Sequence, residues 1–132
     1  LKQTIYILII FFSNYMFSQE IHSTYKYKKV KDKVKVSTNL KWDFYELDSL
    51  VLFKNKTFYH KKVYHFHEFK YSESKGDWKI SNDTLYLNVS EKKFDDKWEN
   101  VQDVETLTLK KKKLIPIKGR YYDRRKKLKL ES

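Results

Sequence analysis

Three histidines stand close together in the chain, at His60, His65 and His67. If the run from Val63 to Tyr71 is a strand, His65 and His67 share one face, the arrangement from which a Zn or Cu site is built. Glu68 would then point to the opposite face, His22 is remote, and no third ligand stands at a familiar spacing. Half-exposed strand histidines among aromatics are the stronger reading, and His65 and His67 are weak metal candidates only. The carboxylates offer little more. Asp43, Glu46 and Asp48 follow Trp42, and Asp95, Asp96 and Glu99 surround Trp98. Either group could host a general acid, but the sequence identifies no partner for one. There is no Ser-His-Asp order with elbow glycines, no phosphate loop and no calcium loop. The expectation is a protein that is not an enzyme and that needs no cofactor.

Charge is the more telling chemistry. The 132 residues carry a formal net charge of +12, with 29 Lys and Arg against 17 Asp and Glu. Residues 26–35 hold six lysines and one aspartate, residues 110–129 hold eleven basic residues and one aspartate, and the stretch between is slightly acidic. The excess therefore sits in two segments far apart in the chain. If the first and last strands are neighbours in a closed sheet, these segments merge into one basic face. The face would be built from Lys26, Lys28, Lys35, Arg124, Arg125, Lys127 and Lys129, with Tyr25, Tyr27, Tyr121 and Tyr122 interleaved. Such a face attracts anionic polymers with strong salt dependence. The competing explanation is compositional drift, since 26 of the 29 basic residues are lysine. Lysine also guards edge strands. Drift alone would not concentrate the charge at the two ends.

These residues must be positioned by strands. Alanine is absent, while Tyr, Phe, Val, Ile and Thr are abundant, and the dominant hydrophobic period is two. In "KGDWKISNDTLYLNV" a two-residue turn at Asn82-Asp83 pairs Ile80 with Leu85, Trp78 with Leu87 and Gly76 with Val89. Every large apolar residue then falls on one face, and a slip of one residue would destroy the match. Trp78, Ile80, Leu85 and Leu87 form a predicted core stripe, with Gly76 relieving crowding beside it. "SLVLFKNKTFYH" predicts a second hairpin, turning at Asn55-Lys56 with Phe53 opposite Phe58, both in the core. "VETLTLKKKKLIPI" predicts two strands about a lysine-rich turn. "EKKFDDKWENV" spaces Phe94, Trp98 and Val101 as a short helix would, or forms a bulged loop. The expected fold is all-β: an antiparallel meander of about 8–10 strands, forming a small lipocalin-like barrel or half-barrel.

The first residues, "LKQTIYILIIFFSNYMFSQE", place a lysine before an apolar run too short to span a bilayer, with a small residue at Ser18. This predicts a signal peptide over residues 1–18 and a single barrel domain over 19–132. The run "DSLVLFKNKTFYH", the Gly76-Asp77-Trp78-Lys79-Ile80 segment and Thr84-Leu85-Tyr86-Leu87 resemble the small exported lipocalin-like and META-type proteins common in the Bacteroidetes. The resemblance covers about residues 48–118 and implies a barrel fold and an envelope location. Together these readings predict an exported protein, periplasmic or extracellular in a Gram-negative bacterium, that binds a small ligand or an envelope component. The alternative is a surface module whose basic face binds anionic lipid or glycan. Nucleic acid is a poor partner for an exported protein, and nothing in the sequence speaks to oligomeric state.

Overall fold

The structure, a computed structural model, describes residues 20–37, 39–66, 68–118 and 126–131, and within them the side chains of all but residues 33–36 and 118. The expected leader, together with His67, Tyr121, Tyr122, Arg124 and Arg125, lies outside the described residues. Eight strands follow one another: β1 (Ile21–Ser37), β2 (Leu40–Phe53), β3 (Thr57–His65), β4 (Phe69–Ser81), β5 (Thr84–Phe94), β6 (Lys97–Lys110), β7 (Lys113–Lys118) and β8 (Leu128–Leu130). Each pairs antiparallel with the next, and β8 pairs with β1, so the meander is a closed barrel. Closure rests on a three-residue strand. Tyr25 faces Leu130 and Lys26 faces Lys129. The Glu131 N–H donates to the Thr24 carbonyl at 2.8 Å, and the Leu130 N–H to the Lys112 carbonyl at 2.9 Å.

Side chains alternate in and out along every strand. The inner set includes Tyr25, Leu50, Leu52, Phe58, Trp78, Leu85, Leu87, Val89, Leu107, Leu114 and Leu128, all buried. Trp78 seals the end where β4 meets the β2–β3 turn. Its indole N–H donates to the Phe53 carbonyl at 2.9 Å, and its backbone N–H to the Lys56 carbonyl at 2.8 Å. The Lys56 ammonium lies 4.0 Å from the indole ring centre, a cation–π contact, and the His22 ring lies 5.1 Å away. These bonds hold Lys56 in a left-handed conformation (φ 69°) that lysine otherwise avoids.

The β4–β5 hairpin has the register its residues demand, with Trp78 opposite Leu87 and Ile80 opposite Leu85. Asn82 and Asp83 adopt φ of 49° and 59°, the mirror-image turn whose twist matches the strands. Three expectations need correction. The β2–β3 connection has three residues, not two: the Lys56 N–H closes on the Phe53 carbonyl at 3.1 Å, and Asn55 Oδ1 accepts the Thr57 N–H at 3.1 Å. The register therefore slips by one, Phe58 pairs with Leu52, and Phe53 turns to the outer face, half-buried. Ile80 shares its face with Trp78 but is 43% exposed, because β3 ends its pairing at Asp77 and leaves that end of β4 uncovered on one side. The segment around Asp95-Asp96 is neither helix nor bulged loop. It is a tight hairpin with φ of 46° and 62° at the two aspartates, and Phe94 pairs with Lys97 across it.

Gly76 stands where β4 and β5 approach most closely, beside a register shift between Lys75 and Gly76. A Cβ there would lie 1.9 Å from the Asn88 carbonyl oxygen, so the backbones would have to part. Gly76→Ala is expected to cost about 3 kcal/mol, the upper end for overpacking. The check is a lowered urea midpoint with an unchanged slope.

Candidate functional site

The first and last strands are neighbours, and alternation decides which of their residues reach solvent. Tyr25 is 7% exposed within the core, and Tyr27 packs against it. Both therefore leave the basic face to which they had been assigned, because they share the inner face with Leu128 and Leu130. Lys26 between them and Lys28 beyond them are exposed. Across β6, β7, β8 and β1, Lys110 pairs with Lys113, Lys113 with Lys129, and Lys129 with Lys26. Four exposed lysines thus form one continuous row across four adjacent strands. Lys111 and Lys112 extend it at the β6–β7 turn, Lys28 stands exposed two residues along β1, and Lys127 stands exposed just before β8. Lys35 lies farther up β1, and its side chain is outside the description.

Charge compensation along the row is sparse. Lys26 pairs with Glu131 at 3.1 Å, and among the described residues Lys110, Lys111, Lys112, Lys113 and Lys129 make no ion pair. Strand neighbours are about 4.8 Å apart. Like charges at that distance repel by up to about 0.8 kcal/mol per pair even in water. Elsewhere some lysines are matched: Lys54 with Glu20 at 2.9 Å, Lys75 with Glu91 at 3.4 Å and Lys93 with Glu73 at 3.3 Å. Others, such as Lys41, Lys70, Lys79 and Lys97, also lack an ion pair among the described residues. What sets the row apart is that its unpaired lysines stand on adjacent strands in register. The membership of Lys110 and Lys113 was missed at the sequence level. Their signal was the four-lysine turn, which only the β7–β8 pairing connects to the chain ends.

A second polar feature lies inside. Along the inner face the apolar residues of one half give way to ions: Asp48 on β2, His60 on β3 and Glu105 on β6. His60 is 4% exposed; its Nε2 bonds the Asp48 carboxylate and its Nδ1 lies 3.7 Å from Glu105 Oε2. Burial opposes the charged ring, but Asp48 and then Glu105 outweigh it, so the His60 pKa is raised and the protonated ring is favoured relative to a free histidine. Burial likewise works against Asp48 and Glu105. The charge and hydrogen bonds of His60, with Lys62 nearby, outweigh it and lower both, Glu105 to about 2. Lys92 binds Asp103 at 3.0 Å beside them, and Lys126 bonds Glu46. This layer was missed because Glu105 joins Asp48 and His60 from β6, far away in the chain. Asp48 had been read only as one of a group that could host a general acid with no identified partner, and His60 only as a neighbour of His65. A wall of rings at Trp42, Phe44, Tyr64 and Phe66 stands toward the β1–β2 and β3–β4 turns, packed edge to face at 5.5–5.8 Å.

His65 is exposed on the outer face, against Phe69, and so cannot join His60. Among the described residues no group of three or more His, Asp or Glu side chains is arranged to hold a metal ion. An open groove of about 420 Å³ runs outside the barrel past Thr57, Tyr59, Lys75, Gly76 and Glu91. Of its charged groups, Lys75 and Glu91 are already paired with each other, and Asp77 is the third. No family model matches the chain, and neither does any curated protein or solved structure.

The ionic layer sets a pH window. Asp48 and Glu105, with lowered pKa values, stabilise the fold fully only above their ordinary values of 3.8 and 4.5, and that contribution is lost as pH falls through the folded values. His60, with a raised pKa, contributes fully below its ordinary 6.5 and loses that contribution as pH rises through the folded value. Stability from the layer is therefore greatest between about pH 4.5 and 6.5. His60→Leu, which strands two buried carboxylates, is expected to cost about 3–5 kcal/mol. The triple change Asp48→Asn, His60→Leu, Glu105→Gln should recover most of that loss and flatten the pH dependence, read by urea denaturation across pH.

Proposed function

We propose that this chain is an exported, non-enzymatic β-barrel that binds an anionic component of the cell envelope through its lysine row. The observation that carries the reading is the alignment of Lys110, Lys113, Lys129 and Lys26 on four neighbouring strands with one carboxylate, Glu131, beside them. Drift toward lysine accounts for many lysines; it does not account for a mutually repelling line of them. The turn within the row gives independent support. Lys111 and Lys112 adopt φ of 48° and 61°, a conformation that Asn-Gly takes without strain and that costs a lysine about 1 kcal/mol. Two lysines are thus kept where the backbone would prefer other residues, and strain of this kind is retained where a side chain has a use.

A second reading, a small ligand held inside the barrel, has one observation in its favour. The half of the interior around Phe58, Trp78, Leu85 and Leu87 is filled by side chains, but the other half carries the ring wall of Trp42, Phe44, Tyr64 and Phe66 above the ionic layer. Aromatic faces over polar groups suit a small molecule with one apolar side. Native mass spectrometry of protein taken from its own envelope distinguishes the readings, since a small bound mass that survives loss of the lysine row belongs to the interior.

For the main reading, binding to a soluble acidic polysaccharide should weaken with salt at a log–log slope of about −3, as four lysines release their share of counterions. Replacing Lys111 with Asn and Lys112 with Gly separates the two effects: the fold should gain about 1–2 kcal/mol while binding weakens severalfold. Thermal unfolding and titration calorimetry on the same preparation read both. Binding that is indifferent to salt rejects the electrostatic reading.

A further inference from the structure

The shape of the lysine row bears on what can occupy it. Its four members stand on four consecutive strands of an eight-stranded ring, so they fan outward across three of the eight steps around the barrel. The row also climbs. Followed residue by residue beyond Lys26, it passes Ser49, Lys61, Glu73 and Lys93 and returns to β6 at Trp98, not at Lys110. The row is a helical track, as strand tilt in a closed barrel requires. A flat anionic bilayer touches such a convex surface along one tangent and engages the lysines at one end or the other. A flexible chain with regularly spaced negative charges can lie along the track and meet all four.

Among flexible polyanions, the flanking side chains discriminate. Single-stranded nucleic acid binds where cationic grooves alternate with exposed aromatic platforms for its bases. Here the tyrosines of β1 face the core, and the described outer-face neighbours of the row are Thr24 and Lys28 on β1, Lys127 just before β8, Ile115 on β7 and Thr108 and Thr106 on β6. Duplex DNA is too stiff to follow a track this tightly curved. Among the described residues the four lysines themselves are flanked by hydroxyls and ammonium groups, the nearest outer-face rings standing a strand away at Tyr45, 5.9 Å from Lys28, and at Tyr86, opposite Thr106. That flank matches the hydroxyls and carboxylates of a sugar chain. Resting on the reading that the row binds an anionic envelope component, we propose that the component is a linear acidic polysaccharide wound around the β6–β7–β8–β1 side of the barrel, with its carboxylates on Lys110, Lys113, Lys129 and Lys26.

The test titrates full-length protein with linear polyuronate oligomers of increasing length, with phosphatidylglycerol-containing vesicles and with oligothymidylate, at equal charge concentration and low salt. Two variants accompany it: Lys113→Glu with Lys129→Glu at the centre of the row, and Lys70→Glu at an exposed position of β4 outside it. The expected result is affinity that rises with oligomer length and then levels off once the chain spans the row. It should fall at least about tenfold in the row variant and hold in the Lys70 variant. Vesicles and oligothymidylate should bind at least about tenfold more weakly than the longer polyuronates. Vesicle binding equal to polymer binding, and lost in the row variant, overturns the polysaccharide while leaving the anionic-surface function intact. So does affinity that ignores oligomer length, or oligothymidylate binding as tightly as polyuronate. No binding to any of the three, with circular dichroism showing an intact barrel, overturns both.

Discussion

Side chains alternate in and out along each strand, and a closed ring of eight leaves the inward set only the room the ring encloses. That constraint fixes which residues of a strongly basic chain are structural and which are free to act. In β1 it draws Tyr25 and Tyr27 inside and expels Lys26 and Lys28, which alternate with them. In β8 it spends Leu128 and Leu130 on the core and leaves Lys129 outside. The same division makes β2 and β3 carry carboxylate and imidazole inward, where each must find a partner, since an unpaired buried charge would cost more than the hydrophobic packing near it could offset. The layer of Asp48, His60 and Glu105 meets that demand within itself, and among the described residues no buried side-chain nitrogen or oxygen lacks a partner.

The two polar features do opposite things with charge. Inside, cations and anions are matched almost one for one, so the layer adds little net field. Outside, along β6, β7, β8 and β1, positive charges stand in line with little to oppose them. Filling the interior with leucines alone would satisfy stability at least as well. The outer row contributes nothing to the packed core and carries a like-charge cost, so core stability does not require it.

How much of this is legible in one sequence depends on how local the determinants are. The β4–β5 hairpin is legible because Asn82-Asp83 sits between two runs that match in only one register. The fold class follows from period-two patterning and from turns about every ten residues. The β2–β3 register is not, because a two- or three-residue loop is decided by whether Lys56 takes a left-handed conformation, and that rests on Trp78, some twenty residues away. Phe94, Trp98 and Val101 mimic helical spacing because the Asp95-Asp96 turn and the register shift after Val89 break the alternation around them. The neighbourhood of the chain ends is readable from charge and topology together, but the inward turn of Tyr25 and Tyr27 needs the phase of β1. The ionic layer is the least legible element: its three residues belong to β2, β3 and β6, and only closure of the ring brings β6 across from the other two.

The seam of the barrel is also its thinnest part. β8 contributes three residues, meets β1 through two residue pairs and meets β7 through two more. Were it to lift away, β1 and β7 would become unpaired edges, and lysine is the residue that discourages such edges from recruiting other chains. The lysines at the seam thus protect the opened form as well as decorate the closed one. A polyanion lying from β7 across β8 to β1 would bridge the gap from outside, like a suture drawn over a closure. Occupancy then becomes linked to cohesion: whatever holds the ligand also holds the last strand in place.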